Sequence, residues 1–253
     1  ALGEGSLPLA LVEPAVGLLA WDAVAPAAIR ALIPVAPASA GALIQRLLDP
    51  EEDFSIRRRL VRVLAECPTP EVFAALHQTL TDRRFEVRYL AGRALFRQSV
   101  ARQELKVDRG RILAAVRTEV TVGLGVWQSR RLIDDADDAS APMETALIRD
   151  RADRSLEHVF TLLALILPRE PLRLAYHGLH TTDRHLRGTA LEYLESVLPS
   201  EVRERLWPFL EPEGSGETSA HRGPDEALSR LLQSRESIVL ALAAVRERQG
   251  ERE

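Results

Sequence analysis

Apolar residues in this chain recur three and four positions apart, in blocks cut by proline and by short polar turns. That spacing is the signature of amphipathic helices. It is sharpest from Asp49 to Val100, which reads as helix, turn, helix, turn, helix. Within it, Ile56-Arg57-Arg58-Arg59-Leu60-Val61-Arg62-Val63-Leu64 superimposes on Val87-Arg88-Tyr89-Leu90-Ala91-Gly92-Arg93-Ala94-Leu95, 31 residues later, with the apolar positions in register. A fixed offset near thirty residues marks stacked helical repeats, in which each unit buries its apolar face only against its neighbours.

The pattern extends in both directions. Residues 8–20 and 24–35 form two weakly patterned helices with Pro14, Pro26 and Pro34 in or beside them, and Trp21-Asp22 marks the turn between. From Ser39 the stripe Ala42-Leu43-Ile44 and Leu47-Leu48 predicts a helix ended by Asp49-Pro50, because the residue before proline is pushed out of the helical region. The next helix covers 55–66. Thr69 then caps one that starts with Pro70 and buries Val72, Phe73, Leu76 and Leu80, and its partner runs from Phe85 to Arg102.

The middle departs from the repeat. Asp108 to Ile133 reads as one long helix with Ile112, Leu113, Val116, Val120, Leu124 and Trp127 along one side. An acidic loop over 134–140 follows, and a second long helix runs from Pro142 to Leu167, making a hairpin. Afterwards the repeat returns over 171–179 and 183–198, where Leu186-Arg187 falls at the position of Ile56-Arg57 and Val87-Arg88. Its buried stripe is Ala190, Tyr193 and Leu194. Ser200 caps a helix over 201–210, residues 211–224 form a Gly/Ser/Pro-rich loop, and helices 225–233 and 236–248 close the chain. The expected fold is all-α: one domain over 1–253, a right-handed α-solenoid of about five helix pairs. Its parts are N-terminal repeats (1–102), the long central helical hairpin (108–167) and C-terminal repeats (169–253).

Composition narrows the function classes. Apolar residues make up 46% and aromatics 5%, so Leu, Ala, Val and Ile must build the core. The formal net charge of −4 argues against nucleic acid, whose binders neutralise many phosphates with a basic excess. The one cysteine, Cys67, excludes an internal disulfide and fits a reducing compartment, so a cytoplasmic location is expected. The longest apolar run, Val159 to Leu167, is too short for a bilayer, which needs roughly 20 residues. No membrane-spanning segment is therefore expected. The chain begins at Ala1 and its only methionine is Met143, which points to a processed chain or a piece of a longer one.

Chemistry-bearing residues are few. His177, His180 and His185 lie within nine residues, and His177 and His180 can share a helix face, but no carboxylate completes a zinc spacing. Surface and turn histidines are the default reading. No histidine precedes a glutamate, as a repeat-built di-iron site would need, and no phosphate-binding glycine loop is present. The acidic loop lacks the glycine and final glutamate of a calcium-binding helix-loop-helix. No catalytic residue, metal site or cofactor is assigned. The strongest basic cluster is Arg58, Arg59 and Arg62, which reads either as an anion or acidic-partner patch or as a solvated face balanced by Glu51, Glu52 and Asp53.

Turns that end in an apolar residue and arginine, with Leu or Ala four residues on (Ile56-Arg57/Leu60, Val87-Arg88/Ala91, Leu186-Arg187/Ala190), resemble HEAT repeats. Residues 144–210 carry a narrower likeness. Leu156-Glu157-His158-Val159-Phe160-Thr161-Leu162-Leu163-Ala164-Leu165-Ile166-Leu167-Pro168, followed by Leu186-Arg187-Gly188-Thr189-Ala190-Leu191-Glu192-Tyr193-Leu194, is similar to the HEAT-repeat extension of bacterial membrane proteins. Those proteins join cytoplasmic repeats to a transporter domain like the ATP/ADP translocases of the major-facilitator class. The transporter's substrate residues are absent here, so transport is not implied. The resemblance implies a non-catalytic interaction or regulatory module with a protein partner, binding on the concave face lined by the second helices, and fusion to a membrane domain. The alternative is an enzyme or nucleic-acid-processing protein on the same scaffold, which convergent acids and aromatics in a pocket would favour.

Overall fold

The computed structural model describes residues 7–135 and 142–210, and the side chains of those outside 124–149. All regular structure among the described residues is helical. The chain divides into two compact units, one up to Ala115 and one from Val116.

The first unit begins less regularly than its sequence suggests. The helix expected over 8–20 is three short pieces: a 3-10 turn Leu9–Leu11, helix α1 (Val12–Gly17) and a second 3-10 turn Leu18–Ala20. Pro14 has no N–H to give the Ala10 carbonyl, so one α-helix cannot run through. The next stretch is more continuous than expected. Helix α2 (Ala25–Leu32) passes through a 3-10 turn, Ile33–Val35, into α3 (Ala36–Leu48) without the break expected before Ser39. Pro34 and Pro37 each fall in a first turn, where a backbone N–H has no partner to lose, and the Ser39 hydroxyl donates to the Val35 carbonyl at 2.8 Å.

Capping then follows the sequence closely. Asp53 caps α4 (Phe54–Leu64) by accepting from the Ser55 and Ile56 N–H groups at 2.7 and 3.2 Å. Thr69 caps α5 (Pro70–Thr79) through the Val72 N–H at 3.3 Å, and α6 covers Phe85–Ala101. Helix α3 packs on α4 and α5 on α6. Between the pairs α3 meets α5, and α4 is flanked by α2 and α6. Leu32, Leu43, Leu47, Leu60, Leu64, Leu76, Val87 and Leu95 are wholly buried where these helices meet, each worth roughly 2 kcal/mol of apolar burial.

The second unit takes in most of the long helix α7 (Arg109–Asp135), then α8 (Pro142–Leu163), α9 (Arg169–Leu179), α10 (Arg184–Val197) and α11 (Ser200–Leu210). Asp134 and Asp135 belong to α7 and not to the expected acidic loop. The rest of that loop, with the Leu124 and Trp127 side chains, lies outside the described residues. So does everything expected beyond Leu210. Helix α8 stops at Leu163, short of the expected Leu167, because Pro168 has no N–H for the Ala164 carbonyl. Asp183 caps α10 through the His185 and Leu186 N–H groups. Helices α9 and α10 approach most tightly at Gly178, where an added Cβ would lie 2.8 Å from the Ala190 Cβ and 3.3 Å from the Leu186 carbonyl oxygen.

Candidate interaction surface

The arginine of the recurring apolar–arginine pair is a structural group. Arg57, Arg88 and Arg187 are each the fourth residue of their helices α4, α6 and α10. From there the guanidinium reaches carbonyls that helix ends and turns leave without a backbone partner. Arg57 donates from Nε to the Leu47 carbonyl at 2.9 Å and from its fork to the Asp82 carboxylate. Arg88 donates to the carbonyls of Asp82 at 2.8 Å and Arg83 at 3.3 Å. Arg187 donates to the Leu179 carbonyl, and to that of Leu210 at 2.6 Å. Burial pushes its pKa down from the ordinary arginine value.

Of the candidate patch, the structure turns two arginines outward and one inward. Arg59 is buried, and its guanidinium donates to the Leu19 carbonyl and the Asp22 carboxylate. Arg58 is half-buried, 3.8 Å from Asp22, with its guanidinium 5.6 Å from the centre of the Phe54 ring. Arg84 lies over the same ring at 5.4 Å. Arg62 is exposed, and no carboxylate among the described residues comes within ion-pair distance of it. A helix advances about 100° per residue, so Arg58 and Arg62, four apart, share a side that Arg59 leaves.

Sequence reasoning missed a longer alignment. Leu32, Leu64 and Leu95 are wholly buried equivalents on α2, α4 and α6, and Ala28, Leu60 and Ala91 match one turn earlier. Two residues before each leucine stands an exposed arginine: Arg30, Arg62 and Arg93. The signal was present as Arg30-Ala31-Leu32, Arg62-Val63-Leu64 and Arg93-Ala94-Leu95. Helix α2 packs on α4 and α4 on α6, so the three arginines occupy one register of three neighbouring helices. Arg93 is braced by Tyr89, whose hydroxyl accepts at 3.2 Å and whose ring lies 5.6 Å below. The neighbouring carboxylates are engaged elsewhere: Asp22 by Arg59, and Glu66 by Arg97 at 2.6 Å.

The histidines do other work. His180 sits at the end of α9 with Nδ1 2.8 Å from the Tyr176 carbonyl and its ring 4.6 Å from that of Tyr176. His177 is half-buried, and burial together with Arg173 and His180 lowers its pKa. His185 is exposed in the first turn of α10. Among the described residues no three histidine, cysteine, aspartate or glutamate side chains come together as a metal site.

A buried polar group in the second unit also went unseen. Glu119 of α7 faces His158 of α8 across 3.7 Å, and Ser155 lies one turn before His158. Serine, histidine and glutamate are the residue types of an acyl-transfer triad, but all three are at most 1% exposed. A nucleophile so enclosed meets no substrate, and Glu119 and His158 face each other between α7 and α8 beyond hydrogen-bond reach.

The N-terminal segment presents apolar surface. Leu9, Leu11, Leu18, Trp21 and Val24 are exposed, Trp21 to 68%. Within the helical run Ala25–Leu48 an 18-residue window has a mean hydropathy of 1.6, with 28% of the window buried, so the run is long and apolar enough to cross a membrane by length and composition, a test that the core helix of a soluble protein also passes. Arg30, Ser39, Gln45 and Arg46 interrupt the apolar pattern of this run in the sequence. Comparison with known protein families, with curated proteins and with solved structures found no match.

Proposed function

We propose that this chain is a non-catalytic interaction or regulatory module, built as a right-handed α-solenoid of HEAT-like helix pairs, that binds a protein partner on the layer of second helices. The pairing of α3 with α4 and α5 with α6, and the line of α2, α4 and α6, support the solenoid. The observation that carries the function is the exposed arginine at one register of three alternate helices, Arg30 of α2, Arg62 of α4 and Arg93 of α6, with Arg58 beside Arg62. A solvated face needs no such register, whereas a surface that reads a partner does. The test is charge reversal in the whole chain, Arg58→Glu with Arg62→Glu. The reading expects a co-purifying partner to be lost in that variant and weakened in Arg62→Glu alone, whose exposed position leaves the melting temperature unchanged. A retained partner contradicts it.

One observation favours a location beside a membrane, in keeping with the likeness to repeat extensions of transporter-like proteins: the apolar run Ala25–Leu48 with its exposed neighbours Leu18 and Trp21. Fractionation of the native polypeptide tests it. Recovery wholly in the soluble fraction would remove this second reading.

A further inference from the structure

We infer that the Arg30–Arg62–Arg93 line takes an extended acidic peptide, laid across helices α2, α4 and α6 with a carboxylate at every third residue. The inference rests on the interaction reading above and names its partner class. Packed helices lie about 8–10 Å apart, so guanidiniums at one register of three stacked helices make rungs spaced by roughly 10 Å. A polyproline II chain rises about 3.1 Å per residue with three residues per turn, so every third side chain returns to the same face one rung further on. A carboxylate at each third position then meets each arginine in turn, the geometry suited to the bidentate guanidinium–carboxylate pair.

Charge favours this ligand over the alternatives. The rungs carry three positive charges, and among the described residues Asp22 and Glu66 are paired with Arg59 and Arg97 rather than with these arginines. Arg93 is already oriented by Tyr89, so less side-chain freedom is lost on binding. A single-stranded nucleic acid would meet the same arginines, but such strands are held by stacking on exposed aromatic faces, and Tyr89, the aromatic that braces Arg93, is buried.

The test uses the full chain and fluorescently labelled peptides in a Gly/Ser background, one with three aspartates spaced every third residue and one with the same aspartates contiguous. Saturable binding of the spaced peptide is expected, weakening on going from about 50 to about 200 mM salt. The contiguous peptide should bind roughly fivefold more weakly, and the Arg30→Gln/Arg62→Gln/Arg93→Gln variant roughly tenfold more weakly at an unchanged melting temperature. Absence of saturable binding, equal binding of the two peptides, an unaffected variant, or tighter binding of a single-stranded oligonucleotide of matched length each overturns the inference. If the spaced peptide fails yet charge reversal at Arg58 and Arg62 still releases the cellular partner, this inference falls and the interaction reading stands. If the partner is also retained, both fall.

Discussion

Arg57 holds Asp82 across the boundary between two helix pairs: its guanidinium bonds the carboxylate in the turn before α6 while its Nε holds the Leu47 carbonyl at the end of α3. Asp82 in turn accepts from the Arg84 N–H at 2.8 Å. One side chain thus ties α3, α4 and the following turn together. Both partners are nearly buried, with side-chain exposures of 10% and 5%. Arg57→Leu should destabilise the first unit by about 3 kcal/mol, because it leaves a buried carboxylate without its cation. Arg57→Leu with Asp82→Leu should recover part of that loss. Denaturant melts of the two variants check it, and a double variant no more stable than the single one would show that the ion pair is not the main term.

The contact at Gly178 makes a paired prediction. Gly178→Ala places a methyl 2.8 Å from the Ala190 Cβ and should cost about 1–3 kcal/mol by forcing α9 from α10. Gly188→Ala has nothing within 4 Å of the new Cβ and should stabilise α10 by about 0.5–1 kcal/mol. A Gly178→Ala melt no lower than that of the unaltered chain would refute the close approach.

Acid sensitivity is expected from His77. It is buried, its Nδ1 lies 2.9 Å from the Phe73 carbonyl, and burial lowers its pKa below the usual histidine value, opposed by the Phe73 carbonyl and Asp108. The folded state therefore binds a proton less readily than the unfolded one. The stability contributed by neutral His77 is fully present above the unfolded histidine pKa, near 6.5, and is lost as pH falls toward the folded value. His177, also lowered, adds in the same sense. Stability measured between about pH 7 and pH 5 should decline, and His77→Gln should flatten the decline. An unchanged slope in that variant would assign the acid sensitivity to other groups.

The helices were legible where local chemistry sets them. Asp53, Thr69 and Asp183 cap where short polar side chains precede an apolar stripe, Ile56 and Val87 are buried as the 31-residue alignment requires, and Leu186, at the matching apolar–arginine pair, is buried with them. What escaped depends on partners far along the chain. Nothing near Arg59 says that the Leu19 carbonyl, 40 residues earlier, will take its guanidinium, and nothing near Glu119 announces His158. Arg30 escaped for another reason: it lies in a helix whose alanine and proline content hides the register that Leu32 shares with Leu64 and Leu95.

The central claim is that the exposed side of α4 and α6 is where a partner binds, and photo-crosslinking measures it most directly. A benzophenone amino acid is placed at Arg62, at Arg93 and, as a control, at exposed Arg173 in the second unit, each in the native cell. The account predicts one discrete protein adduct shared by positions 62 and 93 and absent at 173. No adduct at 62 and 93, or the same adduct at all three positions, would contradict it.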